Sequence, residues 1–277
     1  LYGVPGIGKT LLARVFAACL GVRFNRVQFT PDLMPTDVIG TNVFEQSSGS
    51  FRLVKGPIFT QVLMADEVNR TPPKTQSALL ESMQERQVTI DGTSYALEPD
   101  FFVIATQNPI EFEGTYPLPE AQLDRFLVRI QMTSPAPQAE IEIYRRAVAG
   151  SLAGWSSDAP LPEPVMTPDE SRALRCASRK VHVSDDLLNY LSRLTMAVRQ
   201  SPHVELAISP RGSLSLLEVS RARALLEARD FVSPDDMKKM LIPCWGHRII
   251  VTAESELEGF TAQQVLEDAA GSVDIPK

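Results

Sequence analysis

Two rhythms of apolar and polar positions divide this chain. In its first half, short apolar runs of β character (Phe24 to Phe29, Val62 to Ala65, Phe101 to Thr106 and Phe126 to Met132) alternate with helical periodicity over Lys9 to Leu20, Lys74 to Arg86 and, more briefly, Pro119 to Arg125. Such alternation predicts a parallel sheet flanked by helices. Gly21 follows the first helix where a left-handed C-terminal stop belongs. Two stretches stand outside the alternation. Val88 to Tyr95 sets Asp91-Gly92 between alternating apolar residues, a hairpin signal. A weaker hairpin is read at Val43-Phe44, Ser47 to Ser50, then Phe51 and Leu53.

From Ser134 the texture changes. Pro135 and Pro137 interrupt the pattern, a helix is expected over Gln138 to Ala149, and residues 150–164 read as loop. Beyond them the rhythm is helical throughout, with helix starts at Thr167, Ser184, Ser209 and Ser233. The chain thus divides into an α/β core over residues 1–133 and an all-α domain over 134–277. Thr167, Ser184 and Ser233 are followed by acidic residues, as the helix dipole favours. Ser209-Pro210-Arg211-Gly212 instead puts a cation in the first turn, disfavoured by about 0.3–1 kcal/mol. An anion bound there would remove the penalty, because phosphate suits both a helix N-terminus and a guanidinium.

Composition narrows the function classes. Hydrophobic residues make up 44% and charged residues 22%, and the net charge is −7, with acidic residues in excess in both halves. Binding to a phosphate backbone by bulk positive charge is therefore not expected. No apolar run approaches the roughly eighteen residues of a membrane span, so a cytoplasmic protein is expected. The three cysteines, Cys19, Cys176 and Cys244, lack metal-ligand spacing and read as reduced, buried small hydrophobes. His182, His203 and His247 share no ligand spacing either.

The chemistry concentrates in short motifs. Gly3-Val4-Pro5-Gly6-Ile7-Gly8-Lys9-Thr10 fits the phosphate-loop pattern: backbone N–H groups close around phosphates, Lys9 supplies charge and Thr10 offers a hydroxyl to Mg²⁺. The strand that should precede this loop is represented by Leu1 and Tyr2 alone, so the chain is expected to be a fragment that continues N-terminally in the native protein. Val62-Leu63-Met64-Ala65-Asp66-Glu67 is an apolar strand ending in two carboxylates, suited to hold Mg²⁺ through Asp66 and to polarise water through Glu67. Asn108 is either a turn former before Pro109 or a polar group at the end of a second buried strand. Arg125 ends a short helix, where it could simply complement the dipole.

Taken together, Gly3 to Thr10, Phe29 to Leu33, Asp66 to Arg70, Lys74 to Glu81, Ala105 to Pro109, Leu123 to Phe126, Ser209 to Arg211 and His247 to Ile249 resemble the MoxR family of AAA+ ATPases over nearly the whole chain. The resemblance implies a P-loop AAA+ core with a helical lid, the weaker hairpin being a helix-two insert and the Asp91-Gly92 hairpin a pre-sensor insert. It implies ATP and Mg²⁺ as cofactors and a ring, usually hexameric, with ATP at subunit interfaces. Gly3, Val4, Pro5, Gly6, Ile7, Gly8, Lys9, Thr10 and Leu11 would bind nucleotide, and Thr10 and Asp66 the metal. Glu67 would activate water, Asn108 act as first sensor, Arg125 as arginine finger on the neighbouring subunit's ATP, and Arg211 as second sensor at the γ-phosphate. Arg70 and Arg129 are further cations that could face an interface. The activity implied is ATP hydrolysis coupled to assembling or activating a client protein complex, together with a von Willebrand factor A domain protein. A DNA-acting motor akin to the minichromosome-maintenance helicases would carry both insertions too. It would want basic hairpins, whereas Thr89 to Ala96 has no Lys or Arg and Ser47 to Leu53 only Arg52. A non-hydrolysing nucleotide switch would not need Glu67, Asn108 and two such arginines.

Overall fold

The computed structural model describes residues 1–109, 114–150 and 161–276. Most of the expected 150–164 loop lies outside these residues. Contacts divide the chain into two compact units, Leu1–Leu118 with Ile130–Ser171, and Pro119–Arg129 with Arg172–Lys277.

In chain order the elements are α1 (Lys9–Cys19), β1 (Phe24–Gln28), α2 (Pro35–Ile39), β2 (Gly40–Glu45), β3 (Ser50–Lys55), β4 (Val62–Asp66), α3 (Pro73–Glu85), β5 (Gln87–Ile90), β6 (Thr93–Ala96), β7 (Phe102–Ala105), α4 (Glu120–Leu123) and α5 (Pro137–Val148). A short 3₁₀ turn at Val68–Arg70 follows β4. The sheet of the first unit is parallel with order β1-β4-β7, and its register sets Arg26 against Met64, Gln28 against Asp66 and Ala65 against Ala105. Central β4 is buried along its whole length, which is why it reads as an unbroken apolar run. Ala13 and Ala17 of α1 are fully enclosed, as are Leu79 and Leu80 of α3. Small side chains on α1 let its backbone lie close to the sheet.

Both hairpins form: β2 pairs with β3 and β5 with β6, each antiparallel. Asp91 and Gly92 turn the second with φ of 48° and 80°, the left-handed pair a two-residue hairpin requires. In the first, Phe44 and Phe51 sit opposite each other with ring centroids 5.3 Å apart, both exposed.

Phe126 to Met132 does not form the expected strand. It makes a single bridge, Gln131 to Tyr2, with Tyr2 N donating to Ile130 O at 2.9 Å and Met132 N to Tyr2 O at 2.8 Å. Just upstream, Arg129 N donates to Pro243 O at 2.8 Å, so the backbone of this stretch is divided between the bridge to Tyr2 and a helix carbonyl and forms no continuous ladder. The helix expected over 119–125 is the short α4.

The remaining elements are α6 (Pro168–Ser178), α7 (Asp185–Arg199), β8 (Val204–Leu206), α8 (Pro210–Leu226), α9 (Pro234–Trp245), β9 (Ile250–Val251), α10 (Ala253–Leu257) and α11 (Ala262–Ser272). The predicted cap at Thr167 is a reciprocal box: Thr167 N donates to Glu170 Oε2 at 2.7 Å and Glu170 N to Thr167 Oγ1 at 3.2 Å. The core of the second unit gathers Tyr190, Leu194, Leu216, Met237, Leu241, Trp245 and Leu266. This largely helical unit also holds one antiparallel ladder, β8 with β9, which the helical reading passed over because strands of two and three residues carry no measurable period. Of the cysteines expected to be buried, Cys244 is, Cys19 is half-buried and Cys176 is exposed on α6. Among the described residues no helix is long and apolar enough to cross a membrane.

Candidate functional site

The loop before α1 is shaped by glycines at two positions. Gly6 and Gly8 have φ of 83° and 86°, and a Cβ at either would meet nothing within 4 Å, so glycine is needed for the backbone conformation rather than for room. Gly8 is the N-cap of α1 and makes no side-chain cap bond, and the first turn holds no acidic residue. The first N–H groups of α1 thus keep their positive end of the dipole unopposed by side chains. Lys9 folds back over the loop, Nζ donating to Gly3 O at 2.5 Å, Val4 O at 3.3 Å and Gln107 O at 3.5 Å. Thr10 and Leu11 follow in the first turn.

The two carboxylates lie at the C-terminal end of β4. Asp66 Oδ1 accepts from Thr106 Oγ1 at 2.5 Å, and Oδ2 accepts from Arg26 Nε and Nη2 at 3.0 and 2.7 Å. Thr10 Oγ1 stands 3.5 Å from the same Oδ2. Thr106 Oγ1 in turn accepts from Glu67 N at 2.9 Å, so one hydroxyl joins both acidic residues. Glu67 itself has a left-handed backbone, φ 57° and ψ 48°. Its Oε2 accepts from Gln28 Nε2 at 2.7 Å and lies 3.4 Å from Arg70 Nη1. Asn108 is buried just beyond β7, and Val68 N donates to Thr106 O at 3.1 Å, tying the ends of β4 and β7 together. The structure therefore brings Lys9, Thr10, Asp66 and Glu67 to one edge of the sheet, outside the carboxyl ends of parallel strands, with Asn108 at the same strand ends.

This donor set fits a magnesium nucleotide. A hydroxyl and a carboxylate converge beside a glycine loop and a helix N-terminus, the pattern Mg²⁺ favours when phosphate and water supply its other ligands. Among the described residues no group of three or more His, Cys, Asp or Glu forms an independent metal cage.

Arg26, Gln28 and Thr106 hold the two acids, and sequence reading did not single them out. The available signal is that positions 26 and 28, which share a face of β1, are both polar in a strand paired with a neighbour that is apolar up to Asp66. Arg26 Nη2 also donates to Gln28 Oε1 at 2.7 Å, so the pair supports itself.

Arg125 and Arg211 belong to the second unit. Arg125 is half-buried after α4; Arg211 is exposed in the first turn of α8, where Ser209 Oγ accepts from Gly212 N at 3.1 Å. No acidic residue accompanies Arg211 in that turn. His247, given no role from sequence, is buried, with Nε2 donating to Phe126 O at 3.0 Å and Nδ1 without a partner. Burial, then the neighbouring Arg248 cation, holds its pKa down to about 4, so the ring is neutral near pH 7.

Comparison with known proteins agrees with this geometry. Residues 1–128 match the ATPase family associated with various cellular activities (AAA), and residues 196–269 match the AAA lid domain. The chaperone MoxR1 of Mycobacterium tuberculosis is 38% identical over the whole of this chain and 74% of its own length. The MoxR protein of Paracoccus denitrificans is 33% identical over 98% of this chain and 84% of its own. A crystal structure from Cytophaga hutchinsonii, whose protein is provisionally described as an ATPase, superposes with a TM-score of 0.89 at 39% identity, covering all of this chain and 84% of that one.

Proposed function

Because the chain belongs to the MoxR family of AAA+ ATPases, we propose that it hydrolyses ATP in a ring and uses the cycle to assemble or activate a partner protein complex. The observation that carries this reading is the disposition of the paired carboxylates. Asp66 is anchored through Oδ1 by Thr106 and through Oδ2 by Arg26, with the Thr10 hydroxyl 3.5 Å from Oδ2, while the Glu67 carboxylate accepts from Gln28. Two adjacent acids with different supports can divide two tasks, metal coordination and activation of water. Thr10 and Asp66 would hold Mg²⁺, which would supply charge neutralisation for the phosphates.

In this reading Lys9 exchanges its carbonyl partners for phosphate oxygens, and the N–H groups from Gly6 to Thr10 cradle the anion. Glu67 takes the proton of the attacking water, and Asn108 helps hold that water. Arg211 acts as second sensor and Arg125 as the finger directed at the neighbouring subunit's ATP, as in the family the chain belongs to. A hexameric ring, a von Willebrand factor A domain partner and a cytoplasmic setting are part of the same proposal. A protein client is preferred to nucleic acid because β5 and β6 carry no Lys or Arg, Arg52 on β3 is offset by Glu45 at 4.0 Å, and Lys55 at the end of β3 lies over the Phe59 ring.

Replacing Glu67 with Gln tests the core of the reading. The variant should bind ATP with unchanged affinity, measured by fluorescent-nucleotide titration, while phosphate release falls to background. Turnover at the wild-type rate would remove Glu67 as the base.

A further inference from the structure

Asp124 stands between the two arginines assigned above to phosphate contact, and all the groups involved lie within the second unit. Its Oδ1 accepts from Arg248 Nε at 2.8 Å and its Oδ2 from Ser209 Oγ at 2.9 Å. Ser209 caps α8, whose second residue is Arg211; Arg125 directly follows Asp124 in the chain. One carboxylate therefore joins the base of the Arg211 helix to the segment that carries Arg125.

Arg248 makes this junction stiff. Its side chain is 2% exposed, and it donates to the carbonyls of Asp124 at 3.2 Å, Phe126 at 2.6 Å and Leu127 at 3.1 Å, and to that of Cys244. A guanidinium has five N–H donors in a fixed plane, and here they are committed to the Asp124 carboxylate, three carbonyls of one short segment and one helix carbonyl. Gly212, next to Arg211, leaves the space: a Cβ there would lie 3.0 Å from Arg248 Cδ. Trp245 Nε1 donates to Gly212 O at 2.8 Å and His247 Nε2 to Phe126 O at 3.0 Å, so two residues just before Arg248 grip the same two pieces. A buried guanidinium deprived of its carboxylate is strongly unfavourable, so the segment does not detach while Arg248 is in place.

We propose that Asp124 and Arg248 form a positioning clamp that makes Arg125 and Arg211 move as one body. The inference rests on the reading that Arg211 meets the subunit's own nucleotide and Arg125 the neighbour's. Given that reading, a displacement of the α8 start on ATP binding or loss is passed to the finger without any intervening hinge, and the clamp is the route by which one site informs the next. Asp124 and Arg248 are positioning residues and do not touch nucleotide.

The test uses the full chain with spin labels at Ala121→Cys on α4 and Glu218→Cys on α8, both exposed, in a Cys19→Ser, Cys176→Ser background, diluted into unlabelled subunits. Pulsed dipolar spectroscopy should give one narrow distance distribution that is the same without nucleotide and with ATP trapped by Glu67→Gln. Asp124→Asn should broaden it, leave nucleotide Kd unchanged and lower kcat by about 10²-fold, the loss that misplacement by about 1 Å brings. Ser209→Ala, which keeps the ion pair, should show a smaller broadening and a smaller loss. A wild-type distribution that is broad, or that shifts with ATP, overturns the clamp, and this measurement stands even if Asp124→Asn fails to fold. Full kcat in assembled Arg125→Ala rings would instead refute the finger assignment while leaving the distance result intact.

Discussion

Acidification from pH 7 to pH 5 should destabilise the second unit chiefly through His247. The ring is buried, donates Nε2–H to Phe126 O and leaves Nδ1 unpartnered. Burial first, then the cation of Arg248, with a smaller contribution from Arg129, lowers its pKa from 6.5 to about 4 against the opposing hydrogen bond to Phe126 and the Asp124 charge. In the unfolded chain the imidazole takes up a proton near its ordinary value, whereas the folded protein resists until about pH 4. Between those values the unfolded state binds more protons, so stability rises with pH and is lost on acidification through that window. One pKa unit corresponds to about 1.4 kcal/mol. By pH 5, about 1.5 units below the unfolded pKa, the loss should reach about 2 kcal/mol, and the limit on going below pH 4 is about 3 kcal/mol. Urea unfolding followed by Trp245 fluorescence in a Trp155→Phe background measures it. His247→Gln supplies the comparison, since its amide can still donate to Phe126 O and does not titrate. The wild type should lose about 2 kcal/mol more than the variant between pH 7 and pH 5. Equal losses in the two proteins would refute the argument.

Two further outcomes follow from the carboxylate site. Thr106→Val removes the hydroxyl shared by Asp66 and Glu67; it should cost about 1–3 kcal/mol in unfolding free energy and lower kcat about tenfold, with Thr106→Ser restoring both, and a silent Val variant would show that the hydroxyl does not orient the acids. Arg26→Gln frees Asp66 Oδ2 from its guanidinium, so calorimetric titration of Mg²⁺ into the ATP-bound variant should show tighter metal binding than wild type, and an unchanged Mg²⁺ dependence would mean that Arg26 does not compete for that oxygen.

What could be read from the chain alone was what lies close together in it. The P-loop, the apolar run ending in Asp66-Glu67, the Asp91-Gly92 turn and the cap at Thr167 each occupy a few consecutive residues whose propensities agree with their final conformation. The stretch 126–132 was misread because its apolar alternation suits a strand, while the bond from Arg129 N to Pro243 O comes from residues more than a hundred positions away. The supports of the acids are hard to read for a related reason: polar positions 26 and 28 on one face of β1 are a faint signal, and Arg26, Gln28 and Thr106 gain meaning only once the three strands are laid side by side. Arg125 and Arg211 could each be placed at a helix end, but nothing local indicates that Asp124 and Ser209, 85 residues apart, would be hydrogen-bonded.

The left-handed backbone at Glu67 marks a place where folding and chemistry want different amino acids. A non-glycine residue in that region costs about 1–2 kcal/mol, and glycine would adopt it freely. Sequence optimisation aimed at thermal stability would replace Glu67 with glycine or asparagine and would yield a sturdier protein without the carboxylate proposed above as the base. On the proposed role of Glu67, substitutions found by selecting for stability alone at this position would serve as a negative image of activity, and a carboxylate that persists under such selection would report a requirement for turnover.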